Sequence, residues 1–284
     1  MTLNPLLPIM YEPLVRAALL EDLGRAGDIT ADAIVPADQQ ATLVMRARQP
    51  GVVAGLDVAR MAFQLVSPSI EVTTERPDGS TVAAGDVIAT INGPARSLLT
   101  GERTALNFLC HLSGVATATA SLADAVKGTR AQIVCTRKTT PGLRTLEKYA
   151  VRAGGGHNHR FGLDDAILIK DNHIAIAGGI RTAIERAKAH AGHLVKIEVE
   201  VDTLAQLEEA LALGIDAVLL DNMTPEDLKR AVAMVGGRAI TEASGRITAS
   251  TAPAIAASGV DLISVGWVTH SAAALDIGLD WDAA

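Results

Sequence analysis

Aromatic side chains are nearly missing from this chain: Phe, Tyr and Trp make up 2% of its 284 residues. A chain of that length buries a sizeable core, which must here be built from Ala, Val, Leu and Ile. That composition suits helices laid on parallel strands. The shortage also argues against a base-stacking nucleic-acid surface. A formal net charge of −7 points the same way, because phosphate backbones recruit cationic proteins. There are two cysteines, Cys110 and Cys135, with no CxxC and no His/Cys ligand cluster, which excludes a disulfide framework and a zinc ribbon. The N-terminus lacks a basic segment followed by an apolar run, and no unbroken apolar stretch is long enough to cross a bilayer. The expectation is a cytoplasmic protein with no nucleic-acid or membrane partner.

What is present is alternation. From about Cys135 onward, short apolar runs (132–135, 166–169, 194–199, 217–220, 239–240 and 262–265) are separated by helix-patterned segments. Rich in Ile, Val and Leu on both parities, these runs predict strands buried on both faces. The helices have recognisable ends. Thr224-Pro225-Glu226-Asp227 supplies an N-cap, a proline at the first helical position and an acid at the third, and Gly236 stops the run. Two more helices are expected over 203–213 and 248–258. Such spacing means consecutive βαβ units and a parallel sheet. Whether the sheet closes into a barrel or stays open is beyond periodicity. Residues 1–112 read as a separate α+β domain: a helix over 11–23, strands near 41–47, 70–74 and 86–91, and a helix over about 101–112. Residues 113–269 form the α/β domain. The tail over 270–284 is helical in composition and could fold back on the first domain.

Polar groups follow strand after strand: Thr136-Arg137-Lys138-Thr139, Lys170-Asp171-Asn172-His173, Glu198-Val199-Glu200, Asp221-Asn222, Glu242-Ala243-Ser244-Gly245 and Gly266. The carboxyl ends of parallel strands form the ligand crevice of α/β folds. One such group would reflect only that loops are wet; a run of them predicts a site. Between Arg137 and Arg160 stand six cations, Arg137, Lys138, Arg144, Lys148, Arg152 and Arg160, against the single carboxylate Glu147. Arg144 and Lys148, spaced i,i+4, could be a solvated helix face. Arg137 and Lys138 adjoin a strand end, however, and Arg160 follows the Gly154-Gly155-Gly156 loop, so the cations are expected to converge on a small, strongly anionic ligand. Glu200 and Asp221 would put two acids at that mouth. They suit Mg2+ beside a polyphosphate, or they pair with nearby lysines. Ser244-Gly245 and Gly266 fall where a barrel often binds phosphate through backbone N–H groups. Other motifs fail. The triple glycine lacks the Gly-Lys-Ser/Thr of a P-loop, His157-Asn158-His159 stands among cations that disfavour a metal, and no serine lies in a Gly-x-Ser-x-Gly elbow.

These stretches, with Gly27-Asp28-Ile29-Thr30, Glu102 to Asn107, Lys170 to His173 and Thr269-His270-Ser271, resemble the quinolinate phosphoribosyltransferase family over about residues 11–280. Ala243 departs from a frequent serine, and Val268 from a leucine. The resemblance implies an N-terminal α/β sandwich domain and an incomplete parallel α/β barrel of the type II phosphoribosyltransferases. It implies transfer of a phosphoribosyl group from phosphoribosyl pyrophosphate to quinolinate, giving nicotinate mononucleotide, pyrophosphate and CO2 in NAD biosynthesis. It implies Arg103, Arg137, His159, Arg160 and Lys170 on the two quinolinate carboxylates, with Arg103 donated across a homodimer. Lys138, Glu200, Asp221, Ser244, Gly245 and Gly266 would serve phosphoribosyl pyrophosphate and its Mg2+, with Thr136 and Arg246 completing the substrate-binding set. Lys138, Lys170, Glu200 and Asp221 are the expected catalytic group, and Glu200 and Asp221 the metal ligands.

Overall fold

The structure, a computed structural model, describes residues 3–281. Positions 1–2 and 282–284, at the two ends of the expected first domain, lie outside the described residues. Two compact units emerge. One comprises the chain up to Ala120, Thr139–Gly155, and the chain from Val268; the other comprises Ser121–Lys138 and Gly156–Trp267.

In the first unit, four antiparallel strands stand in the order Ile277–Trp281, Gln40–Ala47, Val87–Pro94 and Glu71–Thr74. Leu43, Val44, Met45 and Ala47 of the second strand are buried, as are Ile88, Ala89 and Ile91 of the third. The tail is therefore a strand, not the helix its alanines suggest: Leu275 and Ile277 are buried, and Ile277–Trp281 pairs with Gln40–Ala47. Local motifs turn out to be caps. Asp28 accepts hydrogen bonds from Thr30 N and Ala31 N and so starts the helix Ile29–Ile34. Asp78, in the segment Pro77-Asp78-Gly79, accepts from Gly55 N, Leu56 N and the Tyr149 hydroxyl, and so caps the helix Leu56–Val66. Pro94 precedes a helix of 31 residues, Ala95–Ala125, far longer than the sequence suggests. It is long and apolar enough to cross a membrane, but 56% of its apolar window is buried within the protein, as in a core helix. The helix Arg144–Ala153 also belongs here. Lys148 is 2% exposed, so the alternative of a solvated face at Arg144 and Lys148 does not hold.

The second unit holds six parallel strands: β1 (Gln132–Val134), β2 (Ile167–Ile169), β3 (Ile197–Val201), β4 (Ala217–Asp221), β5 (Ile240–Ser244) and β6 (Leu262–Ser264). Their order is β1-β6-β5-β4-β3-β2, with every pairing parallel. Sequence neighbours thus stand side by side round a ring that stays open between β1 and β2, where the backbone of His157 bridges to Val134. This is an incomplete α/β barrel. Thr224 caps Pro225–Val235, as its spacing predicts, and Thr203 caps Leu204–Ala212, within the range expected for a helix. The third expected helix shrinks to Ala252–Ala256, because Thr248 N donates to the Thr251 hydroxyl in a turn before it.

Candidate active site

At the carboxyl ends of the barrel strands lies a cavity of about 420 Å³. Pairs spaced i,i+2 point into it, as strand alternation requires: Leu168 and Lys170, Leu219 and Asp221, Glu242 and Ser244. β3, β4 and β5 run further than their apolar runs predict, so Glu200, Asp221 and Glu242 are strand residues whose side chains enter the barrel. They are not loop residues following a strand. Regular backbone fixes them in place.

The cavity is cationic on one side. Arg137, Lys138, Arg160 and Lys170 all line it. The Arg160 guanidinium donates from Nη1 to the Ala166 carbonyl at 2.9 Å, and its Nε is buried without a hydrogen-bond partner. Burial and then the nearby Arg137 charge pull its pKa below the usual arginine value. Two guanidiniums that repel in a partly buried pocket leave room for an anion with more than one negative group. Lys170 reaches Glu200 at 3.3 Å. Burial pushes the Glu200 carboxyl up; Lys170 opposes this, while the Asp221 and Asp171 charges add to it. Asp221 is held by Asn222 Nδ2 at 2.6 Å and by the Ser244 hydroxyl. The turns that follow are backbone-strained. Asn222 (φ 52°), Gly245 (φ 110°) and Arg246 (φ 48°) all occupy left-handed conformations. A Cβ on Gly245 would strike the Asn222 side chain.

Deeper in the cavity, His159 meets two acids. Its Nε2 lies 3.0 Å from Glu198 Oε2 and 3.6 Å from Glu242 Oε2. Its Nδ1 accepts from the Arg160 backbone N–H at 2.7 Å, so Nε2 carries the ring proton. Glu242 is 1% exposed, and its Oε1 has no hydrogen-bond partner. Lost hydration, and then the Glu198 charge, raise its pKa to about 7 against the opposing pull of His159 and the Ser264 hydroxyl. Among the described residues these three also have the spacing of a metal cluster, and His157 is not part of it.

The family model described as quinolinate phosphoribosyl transferase, C-terminal domain, matches residues 115–280, and the N-terminal-domain model matches residues 28–113. The chain belongs to the quinolinate phosphoribosyltransferase family. A nicotinate-nucleotide pyrophosphorylase (carboxylating) of Mycobacterium leprae is 47% identical over 271 residues, which cover 94% of this chain and 95% of that one. The protein of Bacillus subtilis named probable nicotinate-nucleotide pyrophosphorylase (carboxylating) is 43% identical over 272 residues, 96% of this chain and 93% of its own. The crystal structure of NadC from Streptococcus pyogenes is similar with a TM-score of 0.94 at 43% identity, covering 98% of this chain and 99% of that one.

Of the residues the family resemblance singled out, the cavity gathers Thr136, Arg137, Lys138, His159, Arg160, Lys170, Glu200, Asp221 and Ser244. Gly245 and Arg246 form the turn after β5. A Cβ on Gly266 would come within 3.0 Å of Lys138 Cδ, so that glycine leaves space for the lysine. Arg103 lies elsewhere, in the first unit. It is exposed on the helix Ala95–Ala125 and lines a second cavity with Glu21, Asp22 and His111. The six cations of the basic stretch do not all converge. Arg144, Lys148 and Arg152 belong to the first unit and line no part of the barrel cavity. Sequence reasoning passed over Glu198 and Glu242 as site residues. The signal was there: an acid two positions before Glu200, and another two before Ser244, share the inward face of otherwise apolar strands.

Proposed function

We propose a division of labour for the family's reaction in this chain, which joins quinolinate to the phosphoribosyl group of phosphoribosyl pyrophosphate and releases pyrophosphate and CO2. The observation that carries it is the gathering of Arg137, Arg160 and Lys170 with Glu200 and Asp221 in one barrel mouth. A doubly carboxylated ring needs two cationic seats, and a monocarboxylate would leave one of them unfilled. Arg137, Arg160 and Lys170 hold the carboxylates and turn the ring nitrogen towards the anomeric carbon. Orientation of this kind supplies much of the rate of a two-substrate reaction. His159, with both nitrogens turned to protein groups, fixes the backbone that presents Arg160. Lys138 neutralises charge growing on the departing pyrophosphate. Thr136, Ser244, Gly245, Arg246 and Gly266 cradle the phosphates, Gly245 and Arg246 standing in the left-handed conformations from which anion-binding backbone nests are built.

Glu200 and Asp221 suit Mg2+, since their mutual repulsion, felt at Glu200, is relieved by a divalent cation. When bound, the metal would neutralise phosphate charge. The same two acids tolerate positive charge developing on the ribose. Arg103 is exposed, and we assign it to the cavity of a second copy in a homodimer, which could assemble further. No nucleic acid is a partner, and the place of work is the cytoplasm.

Arg137→Ala tests the assignment. It should abolish turnover and weaken quinolinate binding by about 2–5 kcal/mol, the cost of removing one member of a buried charged pair. The circular dichroism spectrum should be unchanged. Calorimetry that finds quinolinate affinity retained rejects the carboxylate role.

A further inference from the structure

The family's reaction has a second chemical event besides ribosyl transfer. When the carboxylate next to the ring nitrogen leaves as CO2, its bonding electron pair stays on the ring carbon. A proton must then arrive, and arginines hold theirs too tightly to supply it.

Glu242 is placed to do so. A single proton on His159 Nε2 faces two carboxyl groups, and the distances decide which receives it. Glu198 at 3.0 Å is in hydrogen-bond range, whereas Glu242 at 3.6 Å is outside it. Glu242 is thus a fully buried carboxyl beside another carboxylate, with Oε1 unpartnered and the side chain on the cavity wall. A second negative charge there would lack water and leave Oε1 without a donor, and the Ser264 hydroxyl and His159 do not offset that loss, so the neutral acid is the form the site accepts. An ionised Glu242 would also repel the dicarboxylate that shares its cavity.

We propose that Glu242, held as a carboxylic acid by its burial beside Glu198, is the catalytic acid that protonates the ring carbon vacated by CO2. This rests on the reaction assigned above. The C–C bond to the carboxylate breaks and CO2 departs. The electron pair left on carbon takes the proton from the Glu242 O–H, forming the C–H bond of the product. Glu242 is left as a carboxylate, to be reprotonated from solvent after product leaves. Glu198 on β3 and His159 before β2 are positioning residues that keep the proton on Glu242. Arg137, Lys138, Arg160, Lys170, Glu200 and Asp221 are the other charged groups lining the cavity.

Single-turnover reactions of Glu242→Gln, with quinolinate, phosphoribosyl pyrophosphate and Mg2+, separate the two events. Gln matches the neutral acid in shape but has no acidic proton. Formation of nicotinate mononucleotide should fall about 100-fold or more, the scale of general-acid catalysis, while pyrophosphate release falls far less. In Glu198→Gln, which also serves if Glu242→Gln does not fold, the loss of the product-forming step with rising pH should begin at lower pH. There Glu242 no longer has a like charge beside it. Pyrophosphate release and product formation falling together, or a pH limb unmoved in Glu198→Gln, would overturn the role. So would a stoichiometric divalent metal in the purified protein that vanishes in Glu242→Gln, which would make the cluster a metal site. Wild-type protein that releases no pyrophosphate with quinolinate would instead sink the underlying reaction.

Discussion

A carboxyl whose proton is held more tightly in the folded than in the unfolded chain makes stability depend on pH, and Glu242 is that case. Its pKa rises from 4.5 to about 7 through lost hydration and the Glu198 charge. Between those two values the folded chain binds the proton and the unfolded chain does not, so stability falls as pH rises through the window. Glu242→Gln removes the dependence. Its melting temperature relative to wild type should therefore climb steadily from about pH 5 to about pH 7, and thermal unfolding across that range measures it. A gap that stays constant would mean that Glu242 ionises normally. The cations at the strand ends are readable in the sequence because Arg and Lys beside an apolar run need little context. The state of Glu242 is not, because it depends on two partners far away in sequence, Glu198 and His159, and on burial. Lys148 misleads for the same reason: its i,i+4 spacing from Arg144 looks like a wet face, yet tertiary packing buries it.

Elements were legible where local chemistry decides them. Thr203 and Thr224 announce helices that form where expected, and the Ile/Val/Leu runs announce the barrel strands. Reading failed where distant chain decides. The Ala-rich stretch before Leu275 has high helix propensity, yet an open edge at Gln40–Ala47 recruits Ile277–Trp281 as a strand. The helix Ala95–Ala125 outruns its expected limits through an interior Gly114 that would ordinarily weaken it. A Cβ at Gly114 would strike the Ala273 carbonyl, so the residue is kept for close approach to the tail. Gly154 does the same on the other side of that helix, where a Cβ would strike the Ala116 carbonyl and crowd Thr119. Backbone cannot yield as a flexible side chain can. Gly154→Ala should therefore cost at least about 1–3 kcal/mol of stability in denaturant unfolding. Gly192→Ala, with open space around it, is the control and should change little. Equal effects of the two substitutions would show that the contact at Gly154 is not tight.

For the whole molecule, alternation of strand and helix gave the class of fold but not the ring. The sheet order, in which β1 pairs with β6 and not with β2, closes it on all sides but one. Charge accounting then makes a demand on the assembly. The barrel cavity brings four cations, Arg137, Lys138, Arg160 and Lys170, to a site lined also by the acids Glu200 and Asp221, with a third acid, Glu198, behind them on His159. With Glu242 neutral, the excess of one positive charge is too small for a dicarboxylate together with a phosphorylated sugar diphosphate. Mg2+ and one more cation from outside the unit would complete the balance, and exposed Arg103 is the candidate. If Arg103 serves the cavity of a second copy, a hybrid of Arg103→Ala and Lys138→Ala subunits has one site carrying both lesions and one site carrying neither. Random re-pairing of equal amounts should then restore about a quarter of the wild-type activity to two nearly inactive proteins, because half the dimers are hybrids with one good site each. Were Arg103 to serve its own subunit, every site in every hybrid would carry one lesion and mixing would restore nothing. Activity after denaturation and refolding of the mixture, with each variant refolded alone beside it, distinguishes the two arrangements.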